Sequence, residues 1–155
     1  MTVTTMASAP YRLHQSLGYQ LSLAARLQER RLDEGLRALG LTRITWCVLL
    51  AIGNEGLRQP SDIASFVGID RTAASRALRQ MEAAEMILRA AGEGDGRTRS
   101  VELTGKGRRL LLQGTPLAQA NNAVMEERLT TDETAVLRTL LGKLCAGEEM
   151  GLPGL

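Results

Sequence analysis

The chain has 155 residues, 44% of them hydrophobic and 23% charged, which suits one globular domain or two small lobes sharing a core. Nineteen basic and 17 acidic residues leave a net charge of +2, too mild for the whole-chain charge to announce a nucleic-acid partner. All but Lys106 and Lys143 of the basic residues are arginine, and the only aromatics are Tyr11, Tyr19, Trp46 and Phe66. A core with so few rings is packed from Leu, Ala, Val, Ile and Met, which favours helices.

Several classes are excluded on the same grounds. The longest apolar run, Trp46 to Ile52, falls far short of the roughly 18 residues of a membrane span. The opening MTVTTMASAP lacks a basic start followed by an apolar stretch, so no secretory signal is expected. Cys47 and Cys145 form no CxxC, and with His14 the single histidine, neither a metal site nor a disulfide is expected. A cytoplasmic location is the simplest expectation. Without GxSxG or a P-loop, no catalytic residue and no cofactor are expected.

In chain order, residues 1–10 read as a loose arm. Tyr11 to about Leu39 reads as a long helix, with Leu13, Leu17, Leu21, Ala24, Ala25, Leu32, Leu36 and Leu39 recurring at three- and four-residue steps. Gly40 stops it, and Thr42 caps a second helix, apolar nearly all round and therefore central, that ends at Asn54 and Gly56. Pro60 suits a first helical turn, and Ser61 to Val67 forms a short helix with Ile63, Ala64 and Val67 inward. Gly68 permits a tight turn, and Asp70 caps a helix from Arg71 to about Ala84. Ala74, Leu78 and Met81 form its buried stripe, and Arg71, Thr72, Ser75, Arg76 and Arg79 its exposed side.

The period then changes. Met86 to Ala90 and Thr98 to Leu103 read as two strands of a hairpin, with Val101 and Leu103 on one face and the cluster Gly92 to Gly96 at the tip. Thr104 caps a further helix bearing Leu110, Leu111 and Leu112, in which Gly114 and Pro116 predict a kink or local irregularity. Thr130-x-x-Glu133 is a capping box opening a last helix with Val136, Leu137, Leu140, Leu141 and Leu144. Residues 148–155, with two glycines and a proline, read as a frayed tail.

Short helix, glycine turn, second helix and hairpin follow the order of a winged helix-turn-helix. The second helix of that motif fits a major groove of double-stranded DNA, and its hairpin tip reaches a neighbouring minor groove. Charge agrees: residues 58–109 hold ten basic and seven acidic residues, and the rest of the chain nine and ten. Arg76, with Arg71 and Arg79, points toward base edges or phosphates, since arginine can bond guanine O6 and N7 together. Thr72 and Ser75 are short enough for close approach to base or phosphate. Arg97 and Arg99 suit a narrow minor groove, with Asp95 holding Arg97 by paired hydrogen bonds. The competing reading is an ordinary solvated arginine face; the combination of turn, cap, arginine face and arginine-tipped hairpin favours DNA.

These residues resemble the MarR family of bacterial transcriptional regulators, from about Gly18 to Leu144. GLTRITWCVLLAI (Gly40 to Ile52) is similar to the family's second helix, and IASFVGIDRTAASRALRQMEAAEMI (Ile63 to Ile87) to its helix-turn-helix. DGRTRSVELTGKG (Asp95 to Gly107) matches the wing pattern D-x-R-x-x-x-V-x-L-T-x-x-G, and LTTDETAVLRTLLGKL (Leu129 to Leu144) is also typical. Glu85 departs from the pattern, standing where the family usually has glycine; a left-handed backbone there strains it by roughly 1 kcal/mol. Gly96 occupies a wing position that is often charged, which leaves Arg97 first and Arg99 second as the minor-groove residue.

The resemblance implies a fold that is mainly α with a small β-hairpin wing: a winged helix-turn-helix at 41–103 plus a helical dimerisation lobe from 11–40 and 104–147. It implies an obligate homodimer on a pseudo-palindromic operator, repressing until a small-molecule effector, often an aromatic acid, binds between the lobes. Leucine stripes at both ends of the chain also require a partner to cover them. Tyr11, His14, Tyr19, Arg43 and Trp46 are the ligand-binding candidates, rings for stacking and His or Arg for a carboxylate. Against this, Trp46 reads first as core packing and His14 as an ordinary surface or interface histidine, and Arg43 reads also as simply solvated. Two other readings stay open: redox control through Cys47 or Cys145, set against both being small buried hydrophobes, and a winged-helix module that pairs with protein.

Overall fold

The computed structural model describes residues 8–90 and 100–155. Six α-helices and one antiparallel hairpin follow a single 3-10 turn (Leu13–Gln15) among the described residues: α1 Leu17–Arg37, α2 Arg43–Gly53, α3 Pro60–Val67, α4 Arg71–Ala83, β1 Ile87–Ala90, β2 Ser100–Leu103, α5 Gly105–Glu126 and α6 Thr131–Cys145.

The first helix starts six residues later than the leucine spacing suggested. Ser16 intervenes as its cap, accepting from the Tyr19 amide at 3.4 Å and from the Tyr11 hydroxyl at 2.7 Å. A Ser with an extended backbone satisfies the orphan amides of the first turn, so the hydrophobic period runs on while the helix does not. Most of the α1 stripe is not buried in the single chain: Leu36 alone is fully covered, and Leu13, Leu17, Leu21 and Leu27 face outward.

As expected, α2 is central. Thr42 and Thr45 form a reciprocal cap, and Trp46, Val48, Leu49, Ala51 and Ile52 are all buried. Around it pack Leu36, Leu41, Ile63, Leu78, Met81, Met86, Ile87, Val101, Leu103, Leu110 and Leu111. The hairpin pairs Ile87 with Leu103 and Arg89 with Val101, and the Val101 amide donates to the Arg58 carbonyl at 2.9 Å, which joins the segment before α3 to the sheet.

Three features correct the expectations from sequence. Gly114 and Pro116 do not interrupt α5, which runs continuously from Gly105 to Glu126. Gly114 is buried beneath the Trp46 ring, and a Cβ built on Gly35 of α1 would stand 3.6 Å from Leu117, so packing on both sides of the proline holds the axis. Residues 148–155 are not frayed: Leu152 forms a parallel bridge with Ile69. Cys145 is exposed in this chain rather than buried, and Cys47 is half-buried.

Sequence periodicity also missed a polar clasp between α1 and α5. Asn121, buried, accepts from Arg31 Nε at 3.2 Å and donates to Gln28 Oε1 at 3.1 Å. Both halves of its amide are thereby paired, as burial requires.

Candidate nucleic-acid interface

The helix-turn-helix is built from small residues at its contact and polar residues at its edges. Gly68 ends α3 with φ +86°, a conformation that an L side chain resists. Asp70 then caps α4 by accepting from the Ala73 amide at 2.7 Å. Ala64, Ile69, Ala73 and Ala74 pack together where the two helices meet. Alanines on both helices bring the axes close without large side chains to keep them apart.

One face of α4 is therefore committed to the core through Ala73, Ala74, Ala77, Leu78 and Met81. The opposite face carries Arg71, Thr72, Ser75, Arg76 and Arg79, all exposed. Among the described residues none of these three arginines forms an ion pair with a carboxylate. The face thus presents three guanidinium groups and two hydroxyls to solvent on a rigid, capped helix.

Two neighbours that sequence reasoning overlooked complete this face. Pro60 and Ser61, at the start of α3, line a groove of about 280 Å³ with Arg71, Ala74 and Ser75. Proline at a first turn was the available signal, since it marks a helix N-terminus with free amides, but it was used only to place the helix. Arg89 reaches back from β1 to Glu82 of α4 at 3.6 Å, linking the base of the hairpin to the exposed helix. Lys106 caps the other end of α4 by donating to the Ala84 carbonyl at 2.8 Å.

Glu85, after α4, is in the left-handed region with φ +59°, the only such non-glycine residue among those described. Its carbonyl accepts from the Thr104 hydroxyl at 2.6 Å, and the Thr104 amide donates to Met86 at 3.0 Å. Gly107 follows, and any side chain there would overlap the Met86 carbonyl. The hairpin is thereby clamped at its base to the end of α4. Asp95, Arg97 and Arg99, expected at the hairpin tip, lie outside the described residues.

A family model described as the MarR family matches residues 39–98, a span that begins just after α1, includes α2, α3, α4 and β1, and ends short of β2. Among solved structures, a mutant of MarR from E. coli complexed with operator DNA is 27% identical, with a TM-score of 0.76 over 83% of this chain and 92% of that one. Over residues 39–98 the chain is similar to the MarR family. Two further structures share the fold. BpsR of Bordetella bronchiseptica, whose DNA binding is regulated by 6-hydroxynicotinic acid, is 21% identical, with a TM-score of 0.83 over 90% of this chain and all of that one. A putative MarR-family regulator of Listeria monocytogenes, complexed with DNA, is 22% identical, with a TM-score of 0.75 over 84% and 87%. Six helices with a two-stranded hairpin are the architecture this chain shares with those structures.

The five ligand-binding candidates fall into two groups. Tyr11, His14 and Tyr19 lie at the start of α1, where the His14 and Tyr19 rings stack with centroids 5.6 Å apart. Arg43 and Trp46 lie on α2. Trp46 is buried against Gly114, and Arg43 pairs with Glu29 at 3.2 Å and Asp33 at 2.9 Å. Arg43 also borders a cavity of about 390 Å³ with Asp33, Arg37, Leu41, Thr42 and Ile44. Burial pushes the Cys47 thiol up from its usual value, with the nearby Arg43 charge opposing, which makes it a poor nucleophile at neutral pH. Among the described residues no helix is long and apolar enough to cross a membrane, and no cluster of His, Cys, Asp and Glu could hold a metal.

Proposed function

We propose that this chain is a MarR-family transcriptional regulator that binds double-stranded DNA through α4, as a homodimer on a pseudo-palindromic operator in the bacterial cytoplasm. The observation that carries this is the exposed face of α4, with Arg71, Thr72, Ser75, Arg76 and Arg79 opposite an alanine and leucine face that anchors it. In this reading Arg76 meets base edges, Arg71 and Arg79 meet bases or phosphates, and the two hydroxyls allow close approach. Arg97, with Arg99 second and Asp95 in support, enters the minor groove. The DNA complex of MarR from E. coli supports the assignment by likeness.

Dimerisation accounts for the apolar surface of the single chain. Val136, Leu137, Leu140, Leu141 and Leu144 of α6 are each 42–56% exposed, and Leu13 and Leu17, before and within α1, are 55% and 59% exposed. A second copy burying these stripes sets two α4 helices about one DNA turn apart. Repression released by a small molecule that bears an aromatic ring and a carboxylate is the companion reading. The stacked His14 and Tyr19 rings favour it, and Tyr11, Arg43 and Trp46 complete the candidate set.

Fluorescence anisotropy with DNA from upstream of the gene, repeated across a salt series, tests the DNA reading. Affinity is expected to fall steeply with salt, at a slope set by several phosphate contacts. Salt-insensitive binding, or no preference over random DNA, overturns it.

A further inference from the structure

The segment after α6 makes a connection that the helix-turn-helix reading leaves without a role. Gly147, with φ +80°, turns the chain out of α6. Leu152 then donates its amide to the Gly68 carbonyl at 3.0 Å and accepts from the Asp70 amide at 2.7 Å. Its neighbour Met150 lies over Gly68, with the methyl carbon 3.6 Å from where a Cβ would stand. Met150 and Gly151 also wall a groove of about 450 Å³ with Ser61, Ser65 and Arg71. Beyond the bridge, Leu155 borders the cavity at the junction of α1 and α2, with Arg37, Leu41 and Ile44.

We propose that residues 147–155 are a positioning strap for the DNA-reading head: Leu152 grips the turn between α3 and α4 and ties it to the helical lobe. The proposal rests on the DNA-binding role of α4. Gly68 and Asp70 set the direction in which α4 leaves the turn, and Asp70 is also its cap. The head also joins the helical lobe through Trp46 against Gly114 and through Arg43 paired with Glu29 and Asp33, all of them at α2 rather than at the turn. The strap adds a tie at the α3–α4 turn itself, running from α6 across the turn to the α1–α2 junction. In a two-fold dimer, rocking of the head changes the distance between the two α4 helices, so a tie at the turn narrows the half-site spacing that the dimer accepts.

Met150 and Leu152 stay about half exposed. Two backbone hydrogen bonds, rather than a large buried area, hold the strap, and such a contact opens locally without unfolding the domain. Glu148 and Glu149 travel with it.

The test compares the full chain with a truncation after Ala146, with Leu152→Pro, which removes the donor to Gly68, and with Leu152→Val, which keeps it. Each is measured for dimerisation by light scattering, for Asp70 amide exchange, and for affinity to the operator and to versions with one base pair added or removed between half-sites. Truncated and Leu152→Pro proteins are expected to remain dimeric. Their Asp70 amide should exchange at least about tenfold faster. Their preference for the natural spacing should fall by about fivefold, and Leu152→Val should match the parent. Unchanged spacing preference with unchanged exchange overturns the proposal. A uniform rise in affinity at every spacing also overturns it, making the segment an acidic screen instead. If the full chain binds no operator, the DNA reading fails, while Asp70 exchange still reports whether the strap grips the turn.

Discussion

The six-membered ring of Trp46 packs against Gly114, so close that a Cβ built on Gly114 would stand 2.8 Å from the indole Cε3. This contact joins α2, the central helix of the core, to the long helix α5. It explains why a glycine two residues before a proline does not break α5: the position is needed for approach, and the tryptophan braces the helix across the weak point. Gly114→Ala is expected to cost about 1–3 kcal/mol by overpacking, measured by chemical denaturation. In a Trp46→Leu background the same substitution should cost much less, because the two residues act as one contact.

Glu85 gives the opposite sign. Its φ of +59° strains an L residue, and its side chain is exposed. Glu85→Gly should raise stability by a net of about 0.5–1 kcal/mol, the relief of the left-handed strain exceeding the added freedom of the unfolded chain. A thermal melt reads the change, and a lower melting temperature would show that the Glu85 side chain contributes more than its backbone costs.

Arg76→Ala should leave folding and dimerisation unchanged, since the side chain stands free of the core. Specific operator affinity should fall by about 1–3 kcal/mol if the guanidinium reads a guanine, with little loss on random DNA. An equal loss on both DNAs would reassign Arg76 to phosphate contact.

Leu137→Asp combined with Leu141→Asp places two charges on the exposed face of α6. Sedimentation should show a shift to monomer with the helix content of each chain retained. A dimer that survives both charges would place the interface elsewhere.

Burial raises the Cys47 thiol, so the folded state holds its proton more tightly than the unfolded chain does. Its contribution is therefore complete below the ordinary thiol value of 9.0 and is lost as pH rises through the higher folded value. In a Cys145→Ser background, labelling of Cys47 near neutral pH should be slow and should accelerate on unfolding. Rapid labelling of the folded protein would revive the redox reading.

Local rules were legible in the sequence because they act over a few residues. Thr42, Asp70, Thr104 and Thr130 all cap the helices they were expected to cap. Gly68 takes the left-handed turn, and the inward and outward faces of α4 divide as its spacing dictates. Together they determined a helix-turn-helix with a wing, and hence the residues that face outward from its second helix.

What the sequence could not decide depends on chain segments far apart meeting in space. Gly114 looked like a breaker because its reason for being glycine is Trp46, 68 positions earlier in the chain. Asn121 gave no periodic signal, since its partners Arg31 and Gln28 lie on another helix. Residues 148–155 carry the composition of a loose end, yet Leu152 is held by backbone groups of Gly68 and Asp70. Backbone hydrogen bonds leave no trace in side-chain pattern, so only the tertiary structure reveals that the turn before α4 is gripped by residues after α6.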